Sequence, residues 1–349
     1  MKLEKFHTNF QLNGVSFSSV EDLLTFTEGF CDEIHQFLET WFSKDDFVFV
    51  KTSGSTGIPK EIQLQKKQML NSAIATGNYF NLKENTTALL CLPTAYIAGK
   101  MMLVRALTLG WHLDVVKSNS FPLRGIKKKY DFSAMVPLQL ENAIDSVGLI
   151  KTIIVGGGVV SNQLQQKLQT ISTTVFATYG MTETITHIAV KKLNNLKNVT
   201  FNSTEKSYYH VLPNVKIYID VRNCLVIKAP KVCKEVIFTN DIVRLISDTQ
   251  FEWLGRFDNV INSGGIKLYP EKIEEKLAKI IENRFFVAGI PDEKLGEKLV
   301  LIIEGKYQKI SIYNTNLSKF EIPKETYFIE RFIETETKKI QRKKTLNLI

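Results

Sequence analysis

Between residue 47 and about residue 190, short apolar runs alternate with segments of helical pattern, and this alternation constrains the fold more than any other feature. Runs of strand type occupy residues 47–50, 87–92, 112–116, 132–136, 153–155 and 174–177. Helices are predicted over residues 99–109 and over 163–168, the second with Ser161 as its N-cap. Strand–helix alternation of this kind predicts a mostly parallel sheet covered by helices. Ligands of such sheets bind outside the carboxyl ends of the strands.

After about residue 208 the pattern changes to strands separated by tight turns. Residues 215–221, 225–229 and 242–247 predict a small antiparallel or barrel-like subdomain. Beyond Gly255, Pro270 opens a charged amphipathic helix over 271–281, and strands follow at 286–289 and 299–304. The chain is therefore predicted to be an α/β protein. Its large domain, 1–255, consists of layered mixed sheets and helices with a β-subdomain, and its small α+β domain is 256–349.

Length and composition exclude several classes of protein. The 349 residues, 44% of them hydrophobic, are enough for two packed domains. The first 15 residues show no signal-peptide core, and no stretch approaches the ~20 apolar residues of a membrane span. The cysteines, at positions 31, 91, 224 and 233, lack metal-ligand spacing and are predicted to be reduced. These features predict a soluble cytoplasmic protein without a membrane span.

The net charge of +9 is concentrated at residues 127–129 and near the C-terminus, at Lys338, Lys339, Arg342, Lys343 and Lys344. A basic chain favours anionic partners, either small molecules or nucleic acid. Neither cluster has interleaved aromatic residues or belongs to a known nucleic-acid module. We interpret the first cluster as solvated surface and expect nucleotide cofactors, rather than nucleic acid, to account for the charge.

The decapeptide at residues 51–60 reads Lys-Thr-Ser-Gly-Ser-Thr-Gly-Ile-Pro-Lys and directly follows the run at 47–50, which has the character of a buried strand. Its glycines let backbone N–H groups turn toward an anion, its hydroxyls add donors, and a lysine supplies positive charge. This is the chemistry of a phosphate-binding loop, with a surface turn rich in serine and glycine as the plain alternative. It differs from the P-loop of kinases and GTPases, because Pro59 stands where the second glycine would be.

The order of residues in this decapeptide resembles the nucleotide loop of the acyl-adenylate-forming enzymes, which include acyl-CoA synthetases, luciferases and peptide-synthetase adenylation domains. Residues 178–184 resemble the Tyr-Gly-x-Thr-Glu motif of the same superfamily. The resemblance implies that Tyr179 stacks on adenine, Thr182 hydrogen-bonds a phosphate and Glu183 ligates Mg²⁺. An aromatic face suits a purine, and a carboxylate oxygen suits a hard cation. The resemblance also implies nucleotide binding by Gly156, Gly157, Gly158, Gly180, Thr52, Ser53, Gly54, Ser55, Thr56, Gly57 and Lys60, with Thr56 as a second ligand of the metal.

Two motifs beyond residue 238 extend the resemblance. Thr239-Asn240-Asp241 corresponds to Thr/Ser-Gly-Asp, and implies that Asp241 accepts hydrogen bonds from ribose hydroxyls. Asn240 replaces the glycine, and because asparagine tolerates positive φ we expect the turn to survive. In the Gly-Arg-x-Asp motif that follows, Arg256 is implied to bind ribose or phosphate, and Asp258 to lie at the hinge between the two domains. The next glycine-rich segment resembles the one that lines the thiol tunnel for coenzyme A, through Ser263, Gly264 and Gly265.

The end of the chain resembles the terminal Thr-x-x-Gly-Lys-Ile-x-Arg motif of the superfamily. Lys339 takes the position of the lysine that contacts the substrate carboxylate and the α-phosphate, and Lys338 stands where glycine is usual. The resemblance implies two half-reactions: a carboxylate attacks the α-phosphate of Mg-ATP, and a thiol, predicted to be that of coenzyme A, then displaces AMP. It also implies that the small domain is mobile, so that Lys339 serves the first step alone.

Residues 92–109 give the evidence on the identity of the acid substrate. Tyr96 replaces the usual histidine of the family's Leu-Pro-x-x-His-x-x-Gly segment, and Arg105 follows it by nine residues, inside the apolar helix. The o-succinylbenzoate–CoA ligases of menaquinone synthesis resemble this chain in that arginine and in compact length, and a guanidinium fork suits the second carboxylate of a dicarboxylate. Tyr96 and Arg105 are therefore candidate substrate-binding residues. Arg105 snorkelling to the surface is the alternative for that residue. Other acyl- or aryl-CoA ligases, adenylation enzymes that load a carrier protein, and a non-catalytic nucleotide-binding protein are the alternatives for the function.

Overall fold

The computed structural model describes residues 5–51, 61–195, 207–310, 312, 316–335 and 340–349. The predicted nucleotide loop from Thr52 to Lys60, together with Lys338 and Lys339, lies outside the described residues.

The secondary structure alternates as the sequence predicts in its first half and becomes mainly β in its second. The helices are α1 (Val20–Glu28), α2 (Asp32–Phe42), α3 (Lys66–Phe80), α4 (Ile97–Leu109), α5 (Pro137–Asn142), α6 (Asn162–Leu168), α7 (Pro270–Leu277) and α8 (Arg342–Leu346). The strands are β1 (Gln11–Leu12), β2 (Val15–Ser16), β3 (Phe47–Lys51), β4 (Glu61–Gln65), β5 (Thr87–Leu90), β6 (His112–Val115), β7 (Tyr130–Met135), β8 (Ile150–Val155), β9 (Thr174–Gly180), β10 (His187–Lys192), β11 (Tyr209–Val211), β12 (Lys216–Ile219), β13 (Cys224–Lys228), β14 (Ile237–Leu245), β15 (Gln250–Arg256), β16 (Ile261–Ser263), β17 (Ile266–Leu268), β18 (Phe285–Asp292), β19 (Gly296–Glu304) and β20 (Glu325–Ile329).

The predicted parallel sheet is present, with β6, β5, β7, β8 and β9 side by side and all parallel. Successive side chains of a strand point to opposite faces, and β8 shows the consequence. Ile154 packs into the core on one face, with residues of α3 and α4. Ile153 and Val155 pack into the core on the other face, with residues of α5 and α6. Helices therefore cover both faces, as continuous apolar runs require.

The antiparallel strands continue the same sheet. β10 pairs antiparallel with β9, and the order then runs through β11, β15, β14 and β13 to β12 at the edge. The prediction of antiparallel strands after residue 208 is confirmed. The barrel-like option is wrong, because these strands extend one thirteen-stranded sheet by hydrogen bonding instead of closing on themselves.

The first predicted strand lies outside this sheet. β3 pairs antiparallel with β4 in a separate two-stranded sheet, so the prediction that the 47–50 run belongs to the parallel sheet is wrong. Its buried character is also only half correct, since Val48 and Val50 are buried whereas Phe49 is 54% exposed. A ribbon of two strands that packs on one face exposes every second residue.

The C-terminal strands β16 to β20 form a second sheet with its own apolar cores. Its helix α7 begins at Pro270, as predicted, but ends at Leu277, four residues earlier than residue 281. Residues 257–260 join the two sheets along the chain. α7 contacts the larger sheet, because Lys272 Nζ lies 3.0 Å from Glu252 Oε1 on β15. The predicted domain boundary at residue 255 stays a prediction.

Two features of the structure concern the cysteines and the length of apolar helices. All four cysteines are free thiols. In the described part of the chain, we find no helix with the length and apolar character that crossing a membrane demands.

Candidate active site

The motif at 178–184 begins inside a strand and ends in a tight turn. β9 continues through Thr178, Tyr179 and Gly180, and a short 3-10 turn covers Thr182–Thr184. Gly180 is required by packing, because a Cβ there would lie 2.1 Å from the carbonyl oxygen of Thr186. Glu183, in the turn, is exposed. The strand thus delivers this motif to the carboxyl edge of the sheet, where ligands of parallel sheets bind.

Directly after this turn the backbone is strained. Ile185 has φ 67° and ψ −65°, and the N–H of Thr186 donates to the carbonyl of Thr184 at 2.8 Å. This is the γ-turn geometry that β-branched residues rarely adopt. Such outliers persist only where surrounding structure holds them, and they cluster at functional sites.

The three consecutive glycines lie beside the same motif. A Cβ on Gly156 would be 2.5 Å from Thr178 Oγ1, and Gly157 has φ 79°. The N–H of Gly156 donates to Met135 O on β7 at 3.1 Å. The structure therefore brings the glycine segment and the Tyr179 motif together, as predicted, and the contact with Thr178 explains why position 156 is glycine.

Tyr179 and Asp241, predicted to contact adenine and ribose, are hydrogen-bonded to each other. The Tyr179 hydroxyl donates to Asp241 Oδ2 at 2.7 Å, and Trp253 Nε1 donates to Asp241 Oδ1 at 3.1 Å. Arg256 Nη1 lies 3.5 Å from the same Oδ1. Burial, followed by the charge and hydrogen bond of Asp241, raises the pKa of Tyr179 well above its usual range, so the phenol stays protonated and remains a donor. Two hydrogen bonds and one ion pair thus hold this carboxylate.

The ring of Tyr179 is held by other aromatic residues. It packs edge-to-face with the rings of Tyr209 and Phe251, whose centroids are 5.9 and 5.2 Å away. The sequence reasoning missed Tyr209 and Phe251, and it also missed Trp253. Its position two residues before Gly255, alternating along a strand, was the available signal.

Asn240 does not occupy a turn. It lies within β14, and it is absent from the residues with positive φ in the described chain, so the expectation that it preserves a left-handed turn is wrong. Its side chain bridges other groups instead: Oδ1 accepts from Arg222 Nη1 at 2.9 Å, and Nδ2 donates to Asp258 Oδ2 at 3.4 Å. Arg256 also reaches Asp258, at 3.3 Å.

The residues predicted to face coenzyme A lie on the smaller sheet. Ser263 ends β16, and Gly264 and Gly265, with φ 58° and 81°, join it to β17. A two-residue turn with positive φ at both positions is the connection that matches the twist of a hairpin. Here glycine serves the backbone geometry. The role toward a thiol stays a prediction.

Arg105 is buried in α4, with 2% of its surface exposed, so the snorkelling alternative is wrong. Nε donates to Thr76 Oγ1 and Nη2 to Thr186 Oγ1, each at 3.3 Å. Burial lowers the pKa of Arg105 to about 10. Within the described residues its hydrogen-bond partners are these hydroxyls and the sulfur of Met102, none of them a carboxylate.

Tyr96 and Arg105 do not share a face of α4. Tyr96 is the half-buried N-cap residue. Nine residues correspond to about two and a half helical turns, which places the two side chains on opposite sides of the axis. If Tyr96 and Arg105 both bind the substrate, they must therefore contact different parts of it.

A chain of hydroxyl groups joins Arg105 to the strained turn. Thr186 Oγ1, which accepts from Arg105, also lies 3.2 Å from Ser72 Oγ on α3. Next along the chain, His187 is 6% exposed, and its Nε2 has no hydrogen-bond partner among the described residues. Burial, followed by the positive charge of Arg105, lowers the pKa of His187 to about 3. The imidazole is thus neutral at physiological pH, and the guanidinium is the charge of this cluster.

The chain is similar in sequence to known proteins. The family model described as AMP-binding enzyme matches residues 11–227. A 2-succinylbenzoate–CoA ligase from Geobacillus sp. (strain WCH70) is 26% identical over 91% of this chain and 72% of its own length. The corresponding ligase of Listeria monocytogenes EGD-e is also 26% identical, over 88% and 71%. The chain belongs to the family of AMP-binding enzymes.

Two solved structures share the fold. An acyl-CoA synthetase (AMP-forming)/AMP-acid ligase II-like protein from Dyadobacter fermentans has a TM-score of 0.61 at 35% identity, covering 92% of this chain and 95% of that one. The o-succinylbenzoate–CoA synthetase of Bacillus subtilis, solved with its acyl-adenylate intermediate, has a TM-score of 0.72 at 21% identity, covering 84% and 68%.

Proposed function

We propose that the protein is an AMP-forming acid–CoA ligase whose acid is o-succinylbenzoate. The observation that carries the choice of acid is Arg105: a guanidinium buried inside an apolar helix, held by two threonine hydroxyls and paired with no described carboxylate. A buried charge without a counter-ion is unfavourable, and such groups are kept where a ligand supplies the opposite charge.

The proposed reaction needs one carboxylate to react with ATP, and Arg105 needs a second one as its counter-ion. A dicarboxylate supplies both. Because a guanidinium presents parallel N–H donors, it matches a carboxylate in two-point contact. Two curated relatives reported above are named 2-succinylbenzoate–CoA ligases, which supports the same class of acid.

The reaction has two displacement steps. An oxygen of the substrate carboxylate bonds to the α-phosphorus of ATP while the bond to pyrophosphate breaks, which gives an acyl-adenylate. The sulfur of coenzyme A then bonds to the acyl carbon, its proton is lost, and AMP leaves. Both steps depend chiefly on alignment and on neutralising developing negative charge. In the first step we assign that task to Lys339, Thr182 and the loop from Thr52 to Lys60, and we assign nucleotide binding to Tyr179, Asp241 and Arg256.

The residues present fit a magnesium ion held jointly with ATP. In the described ranges, no three acidic, histidine or cysteine side chains are placed so that they alone could hold a metal ion. A magnesium site built from one or two carboxylates plus substrate phosphates needs none. The exposed carboxylate of Glu183, at the end of the motif, is the group we assign to it. When bound, the ion supplies charge neutralisation at the phosphates.

The partners and location follow from this chemistry. The proposed partners are the acid, ATP and coenzyme A, with no nucleic acid. ATP and coenzyme A are cytoplasmic co-substrates, and the four cysteines are free thiols. We therefore place the reaction in the cytoplasm.

The test is a screen of the purified protein with ATP, Mg²⁺ and free coenzyme A against single acids, with AMP and acyl-CoA both measured. We expect o-succinylbenzoate to give the highest turnover, with equal amounts of the two products, and Lys339→Ala to lose AMP formation. Highest turnover on a fatty or benzoate-type monocarboxylate would overturn the choice of acid. AMP formation without acyl-CoA would favour a carrier-protein thiol as acceptor.

A further inference from the structure

Arg222 joins two separate segments of the chain. It lies in the turn between β12 and β13, where Asp220 Oδ2 accepts from its Nε at 2.8 Å. Nη1 donates to Asn240 Oδ1 at 2.9 Å, and Nη2 donates to the carbonyl of Thr239 at 3.0 Å. The guanidinium carbon also lies 5.2 Å from the ring centroid of Phe257. One planar group therefore braces β14 and covers the segment that follows β15.

That second segment is the covalent link between the two sheets. Residues 257–260 begin with a short 3-10 turn and lead directly into β16. Asn240 connects to the link from the other side, because its Nδ2 donates to Asp258 Oδ2 at 3.4 Å. A glycine at position 240 could form neither this contact nor the one to Arg222. The bridge is thus a property of the side chain that this sequence carries there.

The same part of β14 carries the proposed ribose ligand. The N–H of Asp241 donates to Thr239 Oγ1 at 3.1 Å, and its carboxylate receives Tyr179 and Trp253. Asp241 directly follows Thr239 and Asn240, the two residues that Arg222 contacts on β14. Because Arg222 also covers Phe257, a ligand that orders Asp241 affects a strand that is connected to residues 257–260.

We propose that Arg222 is a positioning residue that, with Asn240, couples nucleotide binding at Asp241 to the conformation of the 257–260 link. The proposal rests on the proposed function only in taking Asp241 as a nucleotide contact. A lysine cannot replace the arginine, because the role needs donors to Asn240 and Thr239 in one plane while a flat face covers Phe257.

The contacts are partly solvated, since 36% of the Arg222 side chain is exposed. Such interactions contribute little each, so their loss is expected to change local opening of the link far more than global unfolding. The amide of Val260 reports on this opening, because its N–H donates to Phe257 O at 3.2 Å and closes the 3-10 turn.

The experiment measures hydrogen exchange of the Val260 amide in the full chain, with and without ATP and Mg²⁺. The variants are Arg222→Lys, Asn240→Ala and the double variant, with Arg124→Lys as the control. Arg124 is an exposed arginine between β6 and β7, in a part of the chain separate from β14 and from the link. In the wild-type protein we expect Mg-ATP to slow exchange at Val260.

Each single variant is expected to speed exchange about 3- to 10-fold and to weaken the slowing by ATP. The double variant should be no faster than the faster single one, because the two side chains act in one bridge. The control should behave as wild type. Unchanged exchange in the variants, multiplied effects in the double variant, or no response of wild-type Val260 to Mg-ATP would each overturn the coupling. No acid or coenzyme A is present, so failure of the acid screen would leave this result standing.

Discussion

At the scale of single residues, Arg105 is the group whose burial opposes stability. The lowering of its pKa from 12.5 to about 10 corresponds to a cost of about 3 kcal/mol while the group is charged. The penalty is fully present below pH 10, where the folded protein must hold the charge, and is relieved only as pH rises through that value. A cost of this size supports our proposal that a ligand completes the site around Arg105.

Replacing Arg105 by methionine should therefore stabilise the ligand-free protein. Methionine has similar length and packs beside Met102, so we expect the free energy of unfolding to rise by about 1–3 kcal/mol in urea titrations. Arg105→Ala is the control, because it removes the charge but leaves a cavity and should lose this gain. A loss of more than about 2 kcal/mol in Arg105→Met would show that the arginine is a structural partner of Thr76 and Thr186.

His187 gives a stability prediction with a defined sign. Its folded pKa of about 3 lies below the unfolded value of 6.5, so the unfolded chain binds more protons between these values. Stability contributed by the neutral imidazole is present above pH 6.5 and is lost as pH falls toward 3, by up to about 1.4 kcal/mol per pH unit. Urea unfolding as a function of pH should show a shallower acid dependence for His187→Gln than for wild type. The exposed His210→Gln is the control, and parallel curves for wild type and His187→Gln would refute the assignment.

At the scale of elements, the sequence predicts those helices and strands whose formation depends on residues adjacent in the chain. The apolar run before Gly156, the cap at Ser161 and helix α4 all correspond to elements of the structure, because continuous apolar runs and capping residues act locally. β4 and the start of β14 were missed, since their mixed residues become strands only through pairing with β3 and β13. A strand that forms only through its pairing partner carries a weak signal in its own residues.

The site residues that belong to sequence motifs were predictable, whereas those placed by tertiary packing were not. Motif order identified Tyr179, Asp241 and Arg256, which the structure brings together. Trp253 and Arg222 lie in segments with no motif, and their roles follow from the side chains that tertiary packing places beside them. The backbone of Asn240 was mispredicted because the turn assumed there is a strand.

The contact between the glycine segment and β9 gives a prediction with a built-in rescue. Gly156→Ala puts a methyl group 2.5 Å from Thr178 Oγ1, and we expect a loss of about 1–3 kcal/mol in stability together with a raised apparent KM for ATP. Adding Thr178→Ala should restore both. Gly158→Ala is the matched control, since its Cβ would meet Pro137 Cγ at an ordinary 3.5 Å. If Thr178→Ala brings no recovery, the glycine serves another purpose.

At the scale of the whole molecule, one ion pair ties the end of the chain to the smaller sheet. Arg342 donates to both carboxylate oxygens of Glu274 on α7, at 2.7 and 2.8 Å, and Glu274 also accepts from the N–H of Val287 at 2.9 Å. Burial raises the pKa of Glu274, although Arg342 opposes the rise. The pair therefore joins α7, β18 and the segment three residues beyond Lys339.

Breaking one side of this pair should be worse than removing both. Arg342→Met leaves a buried carboxylate, and a cost of about 3–5 kcal/mol is expected for the smaller unit. Amide exchange at Glu304, whose N–H donates to Arg284 O at 2.8 Å within the smaller sheet, should accelerate accordingly, by roughly 100-fold or more. The double variant Arg342→Met with Glu274→Met should recover most of the protection. A double variant as unprotected as the single one would contradict the account.

The central claim, that Arg105 receives the second carboxylate of a dicarboxylic acid, is tested most directly by comparing two substrates in one set of variants. We would measure kcat/KM of wild type, Arg105→Lys and Arg105→Ala for o-succinylbenzoate and for an analogue that lacks the second carboxylate. Loss of a partner for a buried charge costs about 2–5 kcal/mol, which is tens- to thousands-fold. We expect Arg105→Ala to lose this much with the dicarboxylate, mainly in the KM for the acid, with Arg105→Lys intermediate and the analogue nearly indifferent. Equal losses on both substrates would show that Arg105 only supports helix α4, and would contradict the claim.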